Sequence, residues 1–113
     1  MAHGNRGAEI RGKTIRLTWT EGPTKGATHE HVFHEDGTVE WHSMERSKKG
    51  DTTKERPEYG AMKVADGVYV VSYLASSGYT LTVALNFQEK RMVGFASGAK
   101  EWYPVQGTFE VVS

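Results

Sequence analysis

Three histidines that lie close together are the residues of this sequence with the clearest chemical potential. His29, His31 and His34 stand in the segment THEHVFH, and a turn signal, HEDGT, begins at the last of them. An imidazole titrates near neutral pH, binds metals, and both donates and accepts hydrogen bonds. The cluster could therefore be a metal site, a catalytic acid or base, or the polar lining of a closed sheet.

The spacing of the histidines places two of them on one face of a strand. Apolar and polar residues alternate through ATHEHVFH, so His29 and His31 share a face while His34 lies on the other face or in the turn. Side chains two positions apart on a strand are separated by roughly 7 Å, which permits a shared metal. A zinc site normally needs at least about three protein ligands, and the returning strand offers only Val39 and Trp41 opposite them. We therefore predict no metal site.

The period of two continues along the chain and predicts an all-β fold. About eight short strands are separated by turn signals such as Asp66-Gly67 and Ser77-Gly78, and the last predicted strand is GTFEVV, with KEWYP (residues 100–104) before it as a loop. A flat sheet of this size would leave two exposed edges and a wet apolar face. We therefore predict a small eight-stranded antiparallel β-barrel with an internal pocket, with a sandwich as the alternative.

The composition indicates one domain and excludes several classes of partner. Residues 1–11 are polar and predict a flexible N-terminal tail, and residues 12–113 predict a single barrel domain. The charged segment at 45–58 predicts a solvated loop.

Fourteen basic residues balance fourteen acidic ones, which argues against nucleic acid or an anionic membrane as partner. The absence of cysteine excludes disulfides. No apolar run resembles a signal peptide or a membrane span, so we expect a cytoplasmic protein.

Alternation also predicts which side chains face the interior of the barrel. The inward aromatic residues either fill the barrel or stack on a flat ligand, and the two inward histidines either bond within the core or present polar groups to a ligand. Ala75, Ser77 and Gly94 are small and leave room at one end. The predicted ligand-binding residues are Leu17, Trp19, His29, His31, Phe33, Trp41, Tyr69, Val71, Tyr73 and Val83.

Three segments carry a resemblance to known families. DGTVEWHSM, DGVYVVSY and TLTVALNFQEKRMVGFASGAKEW, in this order and spacing, resemble the bacterial phenolic acid decarboxylases and the related domain of molybdenum cofactor biosynthesis protein F, MoaF. The resemblance covers most of residues 12–112, and its most specific parts are the DGVY turn and the LNF…EKRM hairpin. It implies a calycin-like (lipocalin-like) barrel with a central apolar pocket, often in a homodimer.

The chain departs from the decarboxylase pattern where those enzymes carry their reaction. The resemblance implies that their two substrate-binding tyrosines correspond to Leu17 and Trp19, another pocket tyrosine to His29, and the proton-donating glutamate to Ala75. Their essential arginine falls in a segment that does not align, where Lys54 or Arg56 could stand in. General acid catalysis needs a titratable group, which alanine lacks. The MoaF-like branch is therefore the better relative.

Two functional hypotheses follow, with a protein-docking role as a third. The first is the binding of a small, largely apolar, aromatic molecule inside the barrel, without cofactor or metal. The alternative is a lyase or isomerase resembling phenolic acid decarboxylase that acts on an aromatic acid. In that case His29 or His31 would be the general acid or base, and Tyr69 or Tyr73 would orient the substrate.

Overall fold

The computed structural model describes residues 10–44, 56–75 and 77–113, which form one antiparallel sheet. Its strand order is β3-β2-β1-β8-β7-β6-β5-β4, and no α-helix occurs in the described ranges. The prediction of an all-β fold with eight antiparallel strands is confirmed. The strands are β1 (Thr14–Glu21), β2 (Thr28–Phe33), β3 (Val39–Ser43), β4 (Tyr59–Ala65), β5 (Val68–Leu74), β6 (Thr80–Asn86), β7 (Arg91–Ser97) and β8 (Trp102–Val111).

The sheet curls into a half-barrel in which the first and last strands pair with each other at the centre of the strand order. β1 and β8 are antiparallel neighbours, from Ile15 opposite Val111 to Glu21 opposite Gln106. The two outer strands of the sheet, β3 and β4, meet only where each begins within the described residues. There the Val39 amide donates a hydrogen bond to the Pro57 carbonyl at 2.9 Å. The Tyr59 amide donates one to the Gly37 carbonyl at 3.1 Å. Within the described residues, the edges of the sheet at β3 and β4 are therefore joined by backbone hydrogen bonds at one place.

Two glycines allow β7 and β8 to lie close to their neighbouring strands. A Cβ added to Gly94 would lie 2.1 Å from the Thr82 carbonyl oxygen, and one added to Gly107 would lie 2.6 Å from the Thr18 carbonyl oxygen. Gly107 faces Trp19, next to the irregular pairing between β1 and β8. Glycines and bulges at such positions are what curve a sheet into a barrel.

One part of the interior, termed the packed half below, is filled by apolar side chains. Aromatic edges meet ring faces there, with Phe87 and Phe109 centroids 5.1 Å apart and Tyr69 and Phe87 centroids 6.0 Å apart. Most of the core's least exposed residues belong to this half. Its main members are Ile10, Ile15, Leu17, Phe33, Val39, Tyr69, Val71, Val83, Leu85, Met92 and Phe109.

Two boundaries differ from the prediction. Ile10 has no exposed surface, so the domain includes a residue of the predicted tail. The sequence does not indicate this, because a single apolar residue in a polar segment gives no periodic signal. β8 begins at Trp102, so residues 102–104 belong to a strand and not to a loop. Pro104 obscured this strand, because proline cannot donate to a sheet. It is tolerated because the pairing of β8 with β1 ends at Gln106.

Other predictions concern parts of the chain outside the described residues. Residues 1–9 of the predicted tail and residues 45–55 of the predicted charged loop lie there. Within the described residues, no helix is long and apolar enough to cross a bilayer.

Candidate functional site

The interior of the half-barrel is open beside the packed half and forms a cavity of about 700 Å³. Its walls come from the last residues of β1, β5 and β7 and the first residues of β2, β6 and β8, together with the middle of β3. These strand ends lie together because neighbouring strands are antiparallel. A cavity of this volume lies within the range of pockets that hold small organic ligands.

The predicted ligand-binding residues divide between the cavity and the packed half. Five of them line the cavity: Trp19, His29, His31, Trp41 and Tyr73. The other five point inward but are buried in the packed half, away from the cavity wall: Leu17, Phe33, Tyr69, Val71 and Val83. The reason is geometric, since alternation decides which face a side chain takes but not how far along the barrel it lies.

Several cavity residues come from turns and strand ends and are not among the predicted ligand-binding residues. Glu21, Tyr79 and Leu81 line the cavity, as do Tyr103 and Val105 of β8. The turn segments TEGPTKG (residues 20–26) and SSGY (residues 76–79) are the sequence features that indicate these positions. They mark strand ends that lie together at the mouth of the cavity. Of the small residues predicted to leave room, Ala75 and Ser77 line the cavity, whereas Gly94 lies at the close contact between β6 and β7.

His29 is held between two tryptophans. The Trp19 indole Nε1–H donates to His29 Nδ1 at 3.0 Å. Indole is only a donor, so Nδ1 must be the acceptor and the neutral ring carries its proton on Nε2. The ring centroids of His29 and Trp41 lie 4.8 Å apart with an interplanar angle of 32°. The tautomer and orientation of this imidazole are therefore fixed by its neighbours.

His31 lies deeper and pairs with a tyrosine. Its Nε2 lies 3.2 Å from the Tyr73 hydroxyl oxygen, and its side chain is almost fully buried. Burial, with smaller contributions from His29 and His42, lowers the pKa of His31 from 6.5 to about 3. Burial also raises the pKa of Tyr73 above its usual range. Both groups are therefore neutral near pH 7.

A count of unsatisfied groups indicates the direction of the bond between His31 and Tyr73. His31 Nδ1 is buried without a hydrogen-bond partner. If Tyr73 donates to Nε2, only the Nδ1–H is left unsatisfied; if His31 donates, both the tyrosine O–H and the Nδ1 lone pair lack partners. Because an unsatisfied buried polar group costs about 1–3 kcal/mol, the structure favours Tyr73 as donor.

The mouth of the cavity is formed by aromatic and acidic side chains. The rings of Tyr79 and Tyr103 are stacked, with centroids 6.3 Å apart and an interplanar angle of 27°. The Tyr79 hydroxyl donates to the Glu101 carboxylate, and this hydrogen bond is the main cause that raises the pKa of Tyr79 to about 12. Glu21 accepts a hydrogen bond from the Gln106 amide at 2.9 Å. Among the described residues, Glu21 is the one Asp, Glu, Lys or Arg that lines the cavity.

The other two histidines of the described residues, His34 and His42, belong to the outer face, where they meet carboxylates. His34 Nε2 lies 2.6 Å from Glu40, and His42 Nε2 lies 3.2 Å from Glu30. The described residues contain no group of three or more His, Cys, Asp or Glu side chains arranged to hold a metal ion. The histidine-rich segment thus contributes two side chains to the cavity and one to a surface pair.

Comparison with known proteins identifies the family. A search of curated proteins finds no match. Among solved structures, "a putative beta-lactamase from Burkholderia vietnamiensis" superposes with a TM-score of 0.73 over 91% of this chain and 95% of that chain, at 17% identity. At that identity the likeness shows the fold alone. Residues 5–101 match the MoaF N-terminal domain, which confirms the resemblance found in the sequence, and the chain belongs to the MoaF N-terminal domain family.

Proposed function

We propose that this protein binds a small, largely apolar, aromatic molecule in the cavity beside the packed half. The observation that carries the proposal is an aromatic wall around about 700 Å³ of space. Two tryptophans and three tyrosines belong to that wall, with Leu81 and Val105 between them. Ligand pockets combine such apolar walls with a few polar groups, here the histidines, the tyrosine hydroxyls and Glu21.

The wall supplies the interactions that a flat aromatic molecule needs. Aromatic rings stack in offset or edge-to-face geometry, and each such contact is worth about 0.5–1.5 kcal/mol beyond the burial of its area. Removing about 200 Å² of apolar ligand surface from water contributes roughly 5 kcal/mol before the cost of association. The rings of His29 and Trp41 already pack against each other in a tilted arrangement, so part of the wall is ordered before a ligand arrives.

The alternative, a lyase or isomerase that acts on an aromatic acid, has weaker support. With its pKa lowered to about 3, His31 is neutral near pH 7 and is not in the imidazolium form that a general acid requires. Tyr69, one of the candidate substrate-orienting residues, lies in the packed half. Ala75 lines the cavity at the position that the resemblance assigns to a glutamate. Binding without turnover therefore fits these side chains better.

A fluorescent probe tests the proposal. N-phenyl-1-naphthylamine is neutral and aromatic, and we expect a saturable rise in its emission with the unaltered protein. Ala96→Phe places a ring inside the cavity and should weaken binding at least about tenfold, because the probe and the ring would compete for the same space. Ala96 lines the cavity.

The matched control carries the same substitution on the outer face. Ala84 is the neighbour of Val93 on the outward side of β6, so Ala84→Phe should leave the affinity unchanged. No saturable binding, or equal binding by Ala96→Phe and the unaltered protein, would refute the proposal. Consumption of an aromatic acid, followed by absorbance and lost in His29→Ala, would support the alternative.

A further inference from the structure

The charged groups at the cavity are all of one sign, and this bears on the kind of ligand. We infer that the cavity selects aromatic molecules that carry an ammonium group over matched carboxylic acids, and that Glu21 is the residue that makes this selection. The inference rests on the proposed function, since it concerns a ligand of the same cavity.

The first support is the charge of the wall. Glu21 lines the cavity, and no lysine or arginine does so in the described part of the chain. A second carboxylate, that of Glu101, accepts a hydrogen bond from the hydroxyl of Tyr79, which lines the cavity. Lys25 and Lys100 belong to the neighbouring turns and are exposed to water, as Glu21 is, but unlike Glu21 neither of them lines the cavity. Charges exposed to water are screened over about 8–10 Å, so the charge that borders the cavity acts on a ligand more strongly than those that do not.

The second support is that the most deeply buried histidine of the wall supplies no positive charge. His31 is buried and neutral near pH 7. The Nδ1 atom of His29 is occupied by the hydrogen bond that it accepts from the Trp19 indole, so this atom offers no N–H to an anion. A carboxylate that entered the cavity would therefore lose its water without meeting a lysine or arginine of the described residues, which is unfavourable.

An ammonium group finds the opposite environment. Its aromatic body can fill the apolar interior while its charge remains at the mouth, next to the Glu21 carboxylate. The stacked rings of Tyr79 and Tyr103 present electron-rich faces, to which cations are attracted by about 0.5–2 kcal/mol. Glu21 is held in position by the Gln106 amide. The ligand class that fits is an arylalkylamine.

The test compares three ligands that share a phenyl ring and a three-carbon chain: 3-phenylpropylamine, 3-phenylpropan-1-ol and 3-phenylpropanoate. Each is titrated against bound N-phenyl-1-naphthylamine near pH 7 at low salt. We expect the amine to bind most tightly, the alcohol next and the acid most weakly, with at least about a tenfold difference between amine and acid. Added salt should narrow the difference.

Two variants assign the selection to Glu21. Glu21→Gln keeps a side chain that can bond Gln106 and removes the charge, so the ratio of amine to acid affinity should fall by roughly fivefold. Glu110→Gln makes the same change in net charge on the outer face, where Glu110 pairs with Arg16 at 3.5 Å, and the ratio should not change.

Each outcome has one meaning. Equal binding of the three ligands, or tightest binding of the acid, overturns charge selection while probe binding still supports the proposed function. An unchanged ratio in Glu21→Gln, or an equal drop in Glu110→Gln, overturns the assignment to Glu21. If the probe and all three ligands fail to bind, the proposed function itself fails.

Discussion

His29, His31 and His34 occupy three different environments although they lie within six residues of one another. His29 is fixed by the Trp19 indole and Trp41, His31 is buried against Tyr73, and His34 pairs with Glu40 on the outer face. The alternation of the strand separates the first two from the third, and depth in the barrel separates the first from the second. Identical side chains thus meet different surroundings, and for His31 burial lowers the pKa from 6.5 to about 3.

The buried His31 should make stability depend on pH. Its pKa is about 3 in the folded protein against 6.5 for a free side chain, so the unfolded chain binds more protons between these values. The free energy of unfolding therefore has its full value above about pH 6.5 and falls on acidification, by up to about 1.4 kcal/mol per pH unit.

Urea denaturation between pH 4.5 and 7.5 measures this slope. His31→Gln keeps a polar group near Tyr73 but cannot be protonated, so its slope should be smaller than that of the unaltered protein. His34→Gln is the control, since His34 is partly exposed. Equal slopes in the unaltered protein and His31→Gln would show that His31 does not carry the effect.

At the scale of strands, the sequence predicts some features of the fold and not others. Ile15, Leu17 and Trp19 predict β1 and its buried face because period-two alternation is a local property. The close contact at Gly94 could not be predicted, because it depends on the Thr82 backbone of the neighbouring strand. The same holds for the division of Tyr69 and Tyr73 between the packed half and the cavity. Both tyrosines face inward on β5, and only the curl of the sheet sets their depth.

The close contact between β6 and β7 should leave no room for a side chain at Gly94. Gly94→Ala places a Cβ against the Thr82 carbonyl oxygen and the Val83 backbone, so the strands must separate, and we expect a loss of about 1–3 kcal/mol in the free energy of unfolding. Gly60→Ala in β4 is the control, because a Cβ there meets no atom within 4 Å. Urea denaturation at pH 7.5 compares the two, and a Gly94→Ala protein as stable as Gly60→Ala would show that the close contact is not required.

At the scale of the whole molecule, the described part of the outer surface has a region with charged side chains and another with apolar ones. The outward side chains of β1, β2 and β3 include the ion pair between Arg16 and Glu30 at 2.9 Å. On the outward side of β7 and β8, Phe95 and Trp102 are exposed and meet edge to face, with centroids 5.4 Å apart. Large continuous patches of exposed apolar residues are uncommon on monomeric proteins. The homodimer that the resemblance implies stays a prediction.

The interior is also divided, so stability and ligand binding should respond to different substitutions. Leu85 and Leu81 point inward from the same strand, β6, but Leu85 is buried in the packed half and Leu81 lines the cavity. Leu85→Ala should lower the free energy of unfolding by about 2–5 kcal/mol, because it leaves a hole among packed side chains. It should leave the affinity for N-phenyl-1-naphthylamine unchanged under conditions where the protein remains folded.

Leu81→Ala should show the reverse pattern. Its side chain is only partly buried and already borders open space, so its removal costs less stability, whereas the probe loses part of its wall and should bind several-fold more weakly. Urea denaturation and probe titration on both variants measure the two quantities independently. If Leu85→Ala weakened the probe as much as Leu81→Ala does, the two regions would act as one unit. The packed half would then have to be part of the binding site, because a cavity built on an independent core responds only to changes in its own wall.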